Sequence, residues 1–430
     1  MRRGGGSGRE AVLTIDSVGV RGDGVALSEG RPVYVPFTAP GDRVRVRLGG
    51  KSGEGAAAEL LEVLAPGARA TPVCRHFGAC GGCALQHLAE SAYVGMKEAQ
   101  VAAALRQHGV AAVEVAPLLR LGPGTRRRAR FALEHARNGE ALVGFHARAT
   151  HRIVDMRDCA VLHPALLALA GTLRALVPRL WPRGRWGVAT ATVADTGIDL
   201  LLDLAALPDL AALEALAGFA EAQDLARLAW RAPDVDEPTP VAIRRMPRAV
   251  FAGTAVDLPP DAFLQASTAA EAALGAEVLA GVGAARRVAD LYAGLGTFTF
   301  ALAGQGAAVH AVEGSRAAAT ALAAAAARAG LQRVSSECRD LEARPLSDEE
   351  LKRFDAVVFD PPRAGAKAQS AALARSAVPR IVAVSCNPAS FARDARLLVE
   401  GGYRLLRVQP IDAFVWSPHV ELVARFERPG

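Results

Sequence analysis

The chain has 430 residues, 51% of them apolar, and a formal net charge of +6. That length suits roughly two to four domains around sizeable cores. No apolar run reaches bilayer length, and the opening MRRGGGSGREAVLTID has too short an apolar stretch for a signal peptide, so a soluble, cytoplasmic protein is expected.

Residues 11–64 read as short strands cut by turns at Gly22–Gly24, Pro40–Gly41 and Gly49–Gly50. In GDRVRVRLGG, Val44, Val46 and Leu48 alternate with Arg43, Arg45 and Arg47, the pattern of a half-buried strand with a basic face. A small β-barrel is the natural closure. A cysteine knuckle, CRHFGACGGC, follows with Cys74, Cys80 and Cys83. Residues 90–108 read as a helix, with Val94, Val101 and Leu105 on one stripe and Gly109 as its stop.

Alternation in RARFALEH, ALVGFHA and HRIVDM suggests an antiparallel sheet over 125–162. The segment from Arg120 to Arg157 carries nine arginines (120, 126, 127, 128, 130, 137, 148, 152 and 157) against three acids (Glu134, Glu140 and Asp155). A basic stripe of this kind suits phosphate contacts, though charge alone fits a solvated face slightly better. Residues 163–250 are mixed, with a helix in HPALLALAGTLRALV, strands in GVATATVAD and GIDLLLDL, and a Pro-rich loop in APDVDEPTP. From about residue 285 strands and helices alternate to the C-terminus, which implies a mostly parallel α/β sheet covered on both faces.

Within that region, DLYAGLGTFTF places a glycine turn (Gly294, Gly296) between a strand and a helix. Glu313 closes the next strand, nineteen residues after Gly294, where a carboxylate binds ribose hydroxyls. The third glycine of a dinucleotide fingerprint is replaced by Thr299, which favours an adenosyl group without phosphates, as in S-adenosylmethionine (SAM). In FDPPRAG, Asp360 ends a further strand before two prolines. Arg363 stands where an amine methyltransferase would stack an aromatic on its base, which argues against amine chemistry.

VSCNPASFARD puts Cys386 at the end of an apolar strand, one strand-helix unit from Asp360. C5 of uracil is too poor a nucleophile to attack a sulfonium unaided. A thiolate adding at C6 makes it an enolate carbon. A carboxylate then has to take the C5 proton so that the thiol leaves. WSPHVELVARF supplies Glu421 at the start of an apolar strand. Cys74, Cys80, Cys83 and, from DCAVL, Cys159 form a four-thiol set suited to zinc or to an iron-sulfur cluster. Cys338 fits neither site and reads as buried filler.

With DLYAGLGTFT, FDPPRAG, VSCNPASFARD, IDAFVWSPHVELVARF and PPDAFLQAS in view, the chain from about residue 11 onward resembles the SAM-dependent RNA uracil-5 (m5U) methyltransferases. The resemblance implies Cys386 as nucleophile and Glu421 as proton acceptor. It implies SAM contacts from Gln265, Tyr292, Glu313, Asp340 and Asp360, and a [4Fe-4S] cluster on Cys74, Cys80, Cys83 and Cys159. RPVYVPFTAPGDRVRVRL resembles a TRAM domain, a small OB-like RNA-binding barrel. Barrel and cluster together are similar to the members that act on 23S ribosomal RNA; tRNA is the alternative substrate. Two departures are visible: Ala293 replaces a frequent cysteine in the glycine loop, and Ser267 stands where asparagine is usual.

The expected fold is therefore α/β: a C-terminal Rossmann-like class I SAM methyltransferase domain, an N-terminal β-barrel, and a central mixed α+β domain with the four-cysteine site. The expected units are 8–66 (barrel), 70–89 (knuckle), 90–120 (helix packing on the catalytic domain), 121–250 (central, RNA-binding) and 251–430 (catalytic). A monomer is expected, with RNA as partner. The competing readings are an RNA-binding iron-sulfur protein with an inactive methyltransferase domain, and a methyltransferase acting on cytosine C5 or an amine.

Overall fold

The computed structural model describes residues 9–52, 55–110, 113–233 and 237–429. The opening MRRGGGSG and the centre of the loop APDVDEPTP lie outside the described residues. Among the described residues no helix is long and apolar enough to cross a membrane.

The first strands are β1 (Glu10–Thr14), β2 (Ser17–Val18), β3 (Gly24–Ser28), β4 (Arg31–Val35), β5 (Arg43–Ser52) and β6 (Gly55–Ala65). They form one sheet in the order β1-β5-β6-β4-β3-β2, curled around Ile15, Val33, Val35, Val44 and Val46. The alternation in β5 buries Val44 and Val46 completely. Its basic face is not free, because Arg45 pairs with Glu62 at 3.4 Å and Arg47 with Glu59 at 2.9 Å and Glu10 at 3.7 Å. These acids come from neighbouring strands, and sequence spacing did not show that they would face the arginines.

Helix α1 (Glu90–Gln107) follows the knuckle and ends before Gly109, whose φ of +72° suits glycine. Its buried face carries Tyr93, Met96, Lys97, Val101, Ala104 and Leu105, so the expected apolar stripe also holds a lysine. After β7 (Glu114–Val115), the central region contains β8 (Arg128–His135), β9 (Ala141–His146), β10 (Ile153–Asp155), α2 (Pro164–Leu173), α3 (Val177–Leu180), β11 (Arg185–Ala194), β12 (Gly197–Asp203), α4 (Leu210–Ala222), β13 (Arg227–Arg231) and β14 (Thr239–Ile243). The strands make one sheet, β10-β9-β8-β11-β12-β13-β14, over a core that includes Phe131, Leu173, Trp181 and Leu200.

The arginine-rich segment is largely engaged within the fold. Arg120 pairs with Glu90, Arg127 with Glu271, Arg128 with Asp261, Arg130 with Asp203, Arg148 with Asp23 and Arg157 with Asp155. Five of these acids, Asp23, Glu90, Asp203, Asp261 and Glu271, lie outside the segment. A charge surplus that is local in sequence is therefore partly cancelled in space.

The C-terminal part begins with the hairpin β15 (Arg248–Phe251) and β16 (Thr254–Asp257) and continues through α5 (Thr268–Val282). There follow β17 (Arg287–Leu291), α6 (Thr297–Gly304), β18 (Ala308–Glu313), α7 (Arg316–Arg328), β19 (Val334–Cys338), α8 (Asp348–Leu351), β20 (Ala356–Phe359), α9 (Lys367–Arg375), β21 (Arg380–Ser385), α10 (Pro388–Glu400), β22 (Arg404–Ile411) and β23 (Glu421–Glu427). The sheet order is β19-β18-β17-β20-β21-β23-β22-β7. Strands β17 to β21 pair in parallel, and β23 runs antiparallel between β21 and β22. Both faces are packed, one around Leu291, Phe359, Phe391 and Phe426, the other around Leu274, Val288, Val358 and Val382. Ser267 caps α5, its hydroxyl accepting from Ala270 N at 3.1 Å, the service an asparagine also performs there. Cys338 is exposed rather than buried filler, its thiol facing Gly314 O at 3.7 Å.

Candidate active site

Chain reversal in an α/β sheet opens a crevice at the carboxyl ends of the strands, where the order of connection switches. Here β17 lies between β18 and β20, which fixes that point. Register brings the site residues to one edge. Leu291 pairs with Val312 and with Phe359, so Tyr292, Glu313 and Asp360 lie one step beyond in adjacent strands. Ser385 pairs with Leu422, which brings Cys386 and Glu421 to the same end although their strands run in opposite directions.

The glycine loop has the geometry its sequence demands. Gly294 and Gly296 have φ of +55° and +94°, and a Cβ on Gly296 would stand 2.5 Å from the Phe300 ring. Tyr292 adopts φ +60°, a strained state for a side chain of its size. Glu313 accepts from Gly294 N at 2.8 Å and from Ser315 N at 2.7 Å, fastening the loop to the next strand. Gln265 donates to Asp360 at 3.2 Å. Asp340 accepts from Glu342 N at 2.9 Å within its own turn, and the Tyr292 hydroxyl reaches Glu342 at 3.3 Å.

The loops bearing Asp360 and Cys386 are tied together. Asn387 caps α10, with Pro388 in its first turn. Its amide donates to Arg363 O at 3.0 Å, and Ser390 donates to the same oxygen at 3.1 Å. Asp394 accepts from Ala366 N at 2.7 Å. Gly365 has φ +84°, and a Cβ there would come within 2.5 Å of both Arg393 and Asp394.

Cys386 lines a cavity of about 670 Å³ together with Arg363, His419, Phe414, Arg126 and the thiols of Cys74, Cys80, Cys83 and Cys159. Glu421, Asp360, Gln265, Tyr292, Glu313 and Asp340 do not line it. The candidate residues therefore form two groups: a crevice of acids and glycines at the strand ends, and a cavity walled by Cys386 and the cysteine knuckle. Among the described residues no group of three or more His, Cys, Asp or Glu converges where a single metal ion would sit.

The electrostatics of the crevice are unusual. Burial pushes Asp290 up to about 7, with Thr299 opposing and Asp360 adding. Burial raises Asp360 as well, against the hydrogen bond from Gln265. Glu421 is raised by burial and by the charge of Asp360. Cys386 is pushed up to about 11 by burial, then by Glu421 and Asp360, while Arg363 opposes. Asp290 is fully buried, and one of its carboxyl oxygens has no hydrogen-bond partner. Sequence reasoning did not single out Asp290, although it opens the DLYAGLG motif. The signal available was an acid at the last turn of the strand that feeds the glycine loop.

A crowd of buried acids beside a glycine turn suits a cationic nucleoside cofactor, and the comparisons with known proteins agree with that chemistry. A family model described as tRNA (uracil-5-)-methyltransferase matches residues 258–428. The chain is 42% identical over 423 residues to an RNA methyltransferase of Rhizobium meliloti (strain 1021), covering 97% of this chain and 99% of that protein. It is 36% identical over 450 residues to the 23S rRNA (uracil(1939)-C(5))-methyltransferase RlmD of Halomonas elongata, covering 100% of this chain and 92% of the relative. The chain belongs to the uracil-5 RNA methyltransferase family. As a member of that family it is a SAM-dependent enzyme that modifies RNA. The Pyrococcus abyssi tRNA (uracil-54, C5)-methyltransferase in complex with S-adenosyl-L-homocysteine matches with a TM-score of 0.76 at 24% identity. That match covers 96% of this chain and 99% of the other, and it shows that the fold is shared.

Proposed function

We propose that this uracil-5 methyltransferase acts on one uridine of large-subunit ribosomal RNA, with Cys386 as nucleophile and Glu421 as proton acceptor. The observation that carries the mechanism is the register of β21 against β23, which brings the thiol and the carboxyl to one sheet edge beside Asp360. The ribosomal target rests on the full-length likeness to the Halomonas elongata enzyme. The tRNA reading is the second one, supported by the family model's description.

The thiolate of Cys386 adds to C6 of a uridine turned out of its stack, forming a C–S bond and placing the electron pair on C5. SAM supplies the methyl group that C5 takes up, and S-adenosylhomocysteine departs. Glu421 accepts the C5 proton, the C5–C6 double bond re-forms and the C–S bond breaks, which returns the thiolate. Arg363 favours the thiolate against the burial that disfavours it. A single chain carries both groups, so a monomer suffices.

The crevice residues fit SAM: Gln265, Tyr292, Glu313, Asp340 and Asp360 would hold it, and the unpartnered oxygen of Asp290 suits a cationic ligand. The knuckle fits a [4Fe-4S] cluster in donor chemistry, because four thiols share one cavity wall and each of Cys80, Cys83 and Cys159 feels its neighbours' charge. Cys74, Cys80, Cys83 and Cys159 would hold it, and when bound it would tie the knuckle to the segment around Cys159. In this reading 8–66 is a TRAM-like RNA-binding module, 70–89 the cluster knuckle, 90–120 the helix on the catalytic domain, 121–250 the central RNA-binding domain and 251–430 the methyltransferase domain.

Two variants test the chemistry. Cys386→Ala abolishes methyl transfer and keeps SAM binding by calorimetry; retained turnover refutes the nucleophile. Glu421→Gln accumulates a covalent protein–RNA adduct on a denaturing gel, and its absence removes Glu421 from the role. Mass mapping of 5-methyluridine in rRNA and tRNA, with and without the gene, separates the two substrates.

A further inference from the structure

The loop 412–420 delivers Glu421 to the site and contributes Phe414, Val415, Ser417, Pro418 and His419 to the cavity wall. It contains no helix or strand of its own. Its shape is imposed from helix α1. Lys97 is fully buried, and its ammonium donates to Asp412 at 2.5 Å, to Phe414 O at 3.2 Å and to His419 O at 2.8 Å. An ammonium has three protons, and all three are spent on this one loop.

Tyr93, one turn earlier on the same helix face, donates to Asp412 at 2.8 Å and accepts from Trp416 N at 3.0 Å. Trp416 is held at φ +56°, and its carbonyl accepts from Ala84 N at 2.9 Å and Leu85 N at 3.1 Å. Those two residues directly follow Cys83. A bulky residue persists in the left-handed region only when its surroundings over-determine it, as three hydrogen bonds do here.

Burying an ion pair is costly and gives little stability by itself. Lys97, Tyr93 and Asp412 do not line the cavity. We infer that Lys97, Asp412 and Tyr93 are positioning residues that hold the loop 412–420 so that Glu421 meets the C5 proton. This inference rests on the proposed role of Glu421. Misplacing a proton acceptor by a fraction of an ångström slows the step it serves more than the steps before it. The lesion therefore falls after methyl transfer.

The test uses the full chain, tritiated SAM and ribosomal RNA from a strain lacking the gene. Tyr93→Phe removes one hydroxyl at nearly constant volume. The pair Lys97→Met with Asp412→Asn removes both buried charges together, and Arg120, which also meets Asp412 at 3.1 Å, keeps its pairing with Glu90. The expected result is SAM binding close to wild type, a methylated protein–RNA adduct that persists on denaturing gels, and turnover reduced about tenfold to a hundredfold. Folded variants that turn over at the wild-type rate, or that lose activity without accumulating the adduct, overturn the inference. Glu421→Gln is run alongside. If it traps the adduct and these variants do not, the inference fails alone; if it does not trap either, the proposed role of Glu421 fails and takes the inference with it.

Discussion

In the crevice Asp290 is fully buried with a carboxyl oxygen unpartnered, whereas on the N-terminal sheet Arg47 already faces both Glu10 and Glu59. Burial pushes the acids at the strand ends towards their neutral forms, and the charge of Asp360 adds to this for Asp290 and Glu421. Most of the arginines at 120–157 have found acids of their own. On the proposed reading the crevice is prepared for a cationic cofactor. The paired arginines, by contrast, already have their charge answered within the fold. A local count of charged residues describes neither state.

The largest expected effect that would break this contrast comes from Asp360→Asn. It keeps the shape and removes one negative charge, and SAM binding should weaken by on the order of thirtyfold or more in calorimetry. An unchanged affinity would mean that the acids are incidental to the cofactor.

Acidity sharpens the same point. Asp290 has a folded-state pKa of about 7, above the ordinary carboxylate range. The folded state therefore binds more protons than the unfolded one, and stability of the ligand-free protein falls as pH rises towards and through 7. The melting temperature should be lower at pH 8 than at pH 6. On the proposed reading SAM is held by the ionised acids, so its affinity and its stabilising shift should both grow over that interval, and calorimetry in two buffers should show proton release.

On the basic side, Arg126 lines the cavity and stacks over the Phe414 ring at 5.9 Å, and it has no acidic partner among the described residues. Arg126→Ala should weaken RNA binding and lower the salt-dependence slope by about 1. Arg47→Ala is the smallest effect. It removes pairs that are largely exposed, so stability should change by less than about 1 kcal/mol with RNA affinity unaltered. A strong RNA defect in Arg47→Ala would show that the N-terminal sheet's cations are available after all.

What was legible in the sequence was whatever strand ends and turns encode locally. The apolar run before Cys386, the glycines at 294 and 296 and the prolines after Asp360 mark where strands stop. Register then carries those ends to one edge. Pairing of charges was not legible, since Arg148 meets Asp23 and Arg127 meets Glu271 across long sequence separations. Lys97 was hidden for the opposite reason. In ESAYVGMKEAQ it looks like an ordinary solvated helix residue, and only the tertiary fold reveals a buried cation facing Asp412. Cys338 misled because a thiol in an apolar chain reads as filler, yet it lies at the open end of an outer strand.

Thr299 occupies the position where a dinucleotide fingerprint would keep a glycine, and its hydroxyl is spent on Asp290 at 2.6 Å. A helix start that could have cradled a diphosphate is thereby backed by a carboxylate. A diphosphate settling there would push Asp290, already raised by burial, still further towards its protonated form.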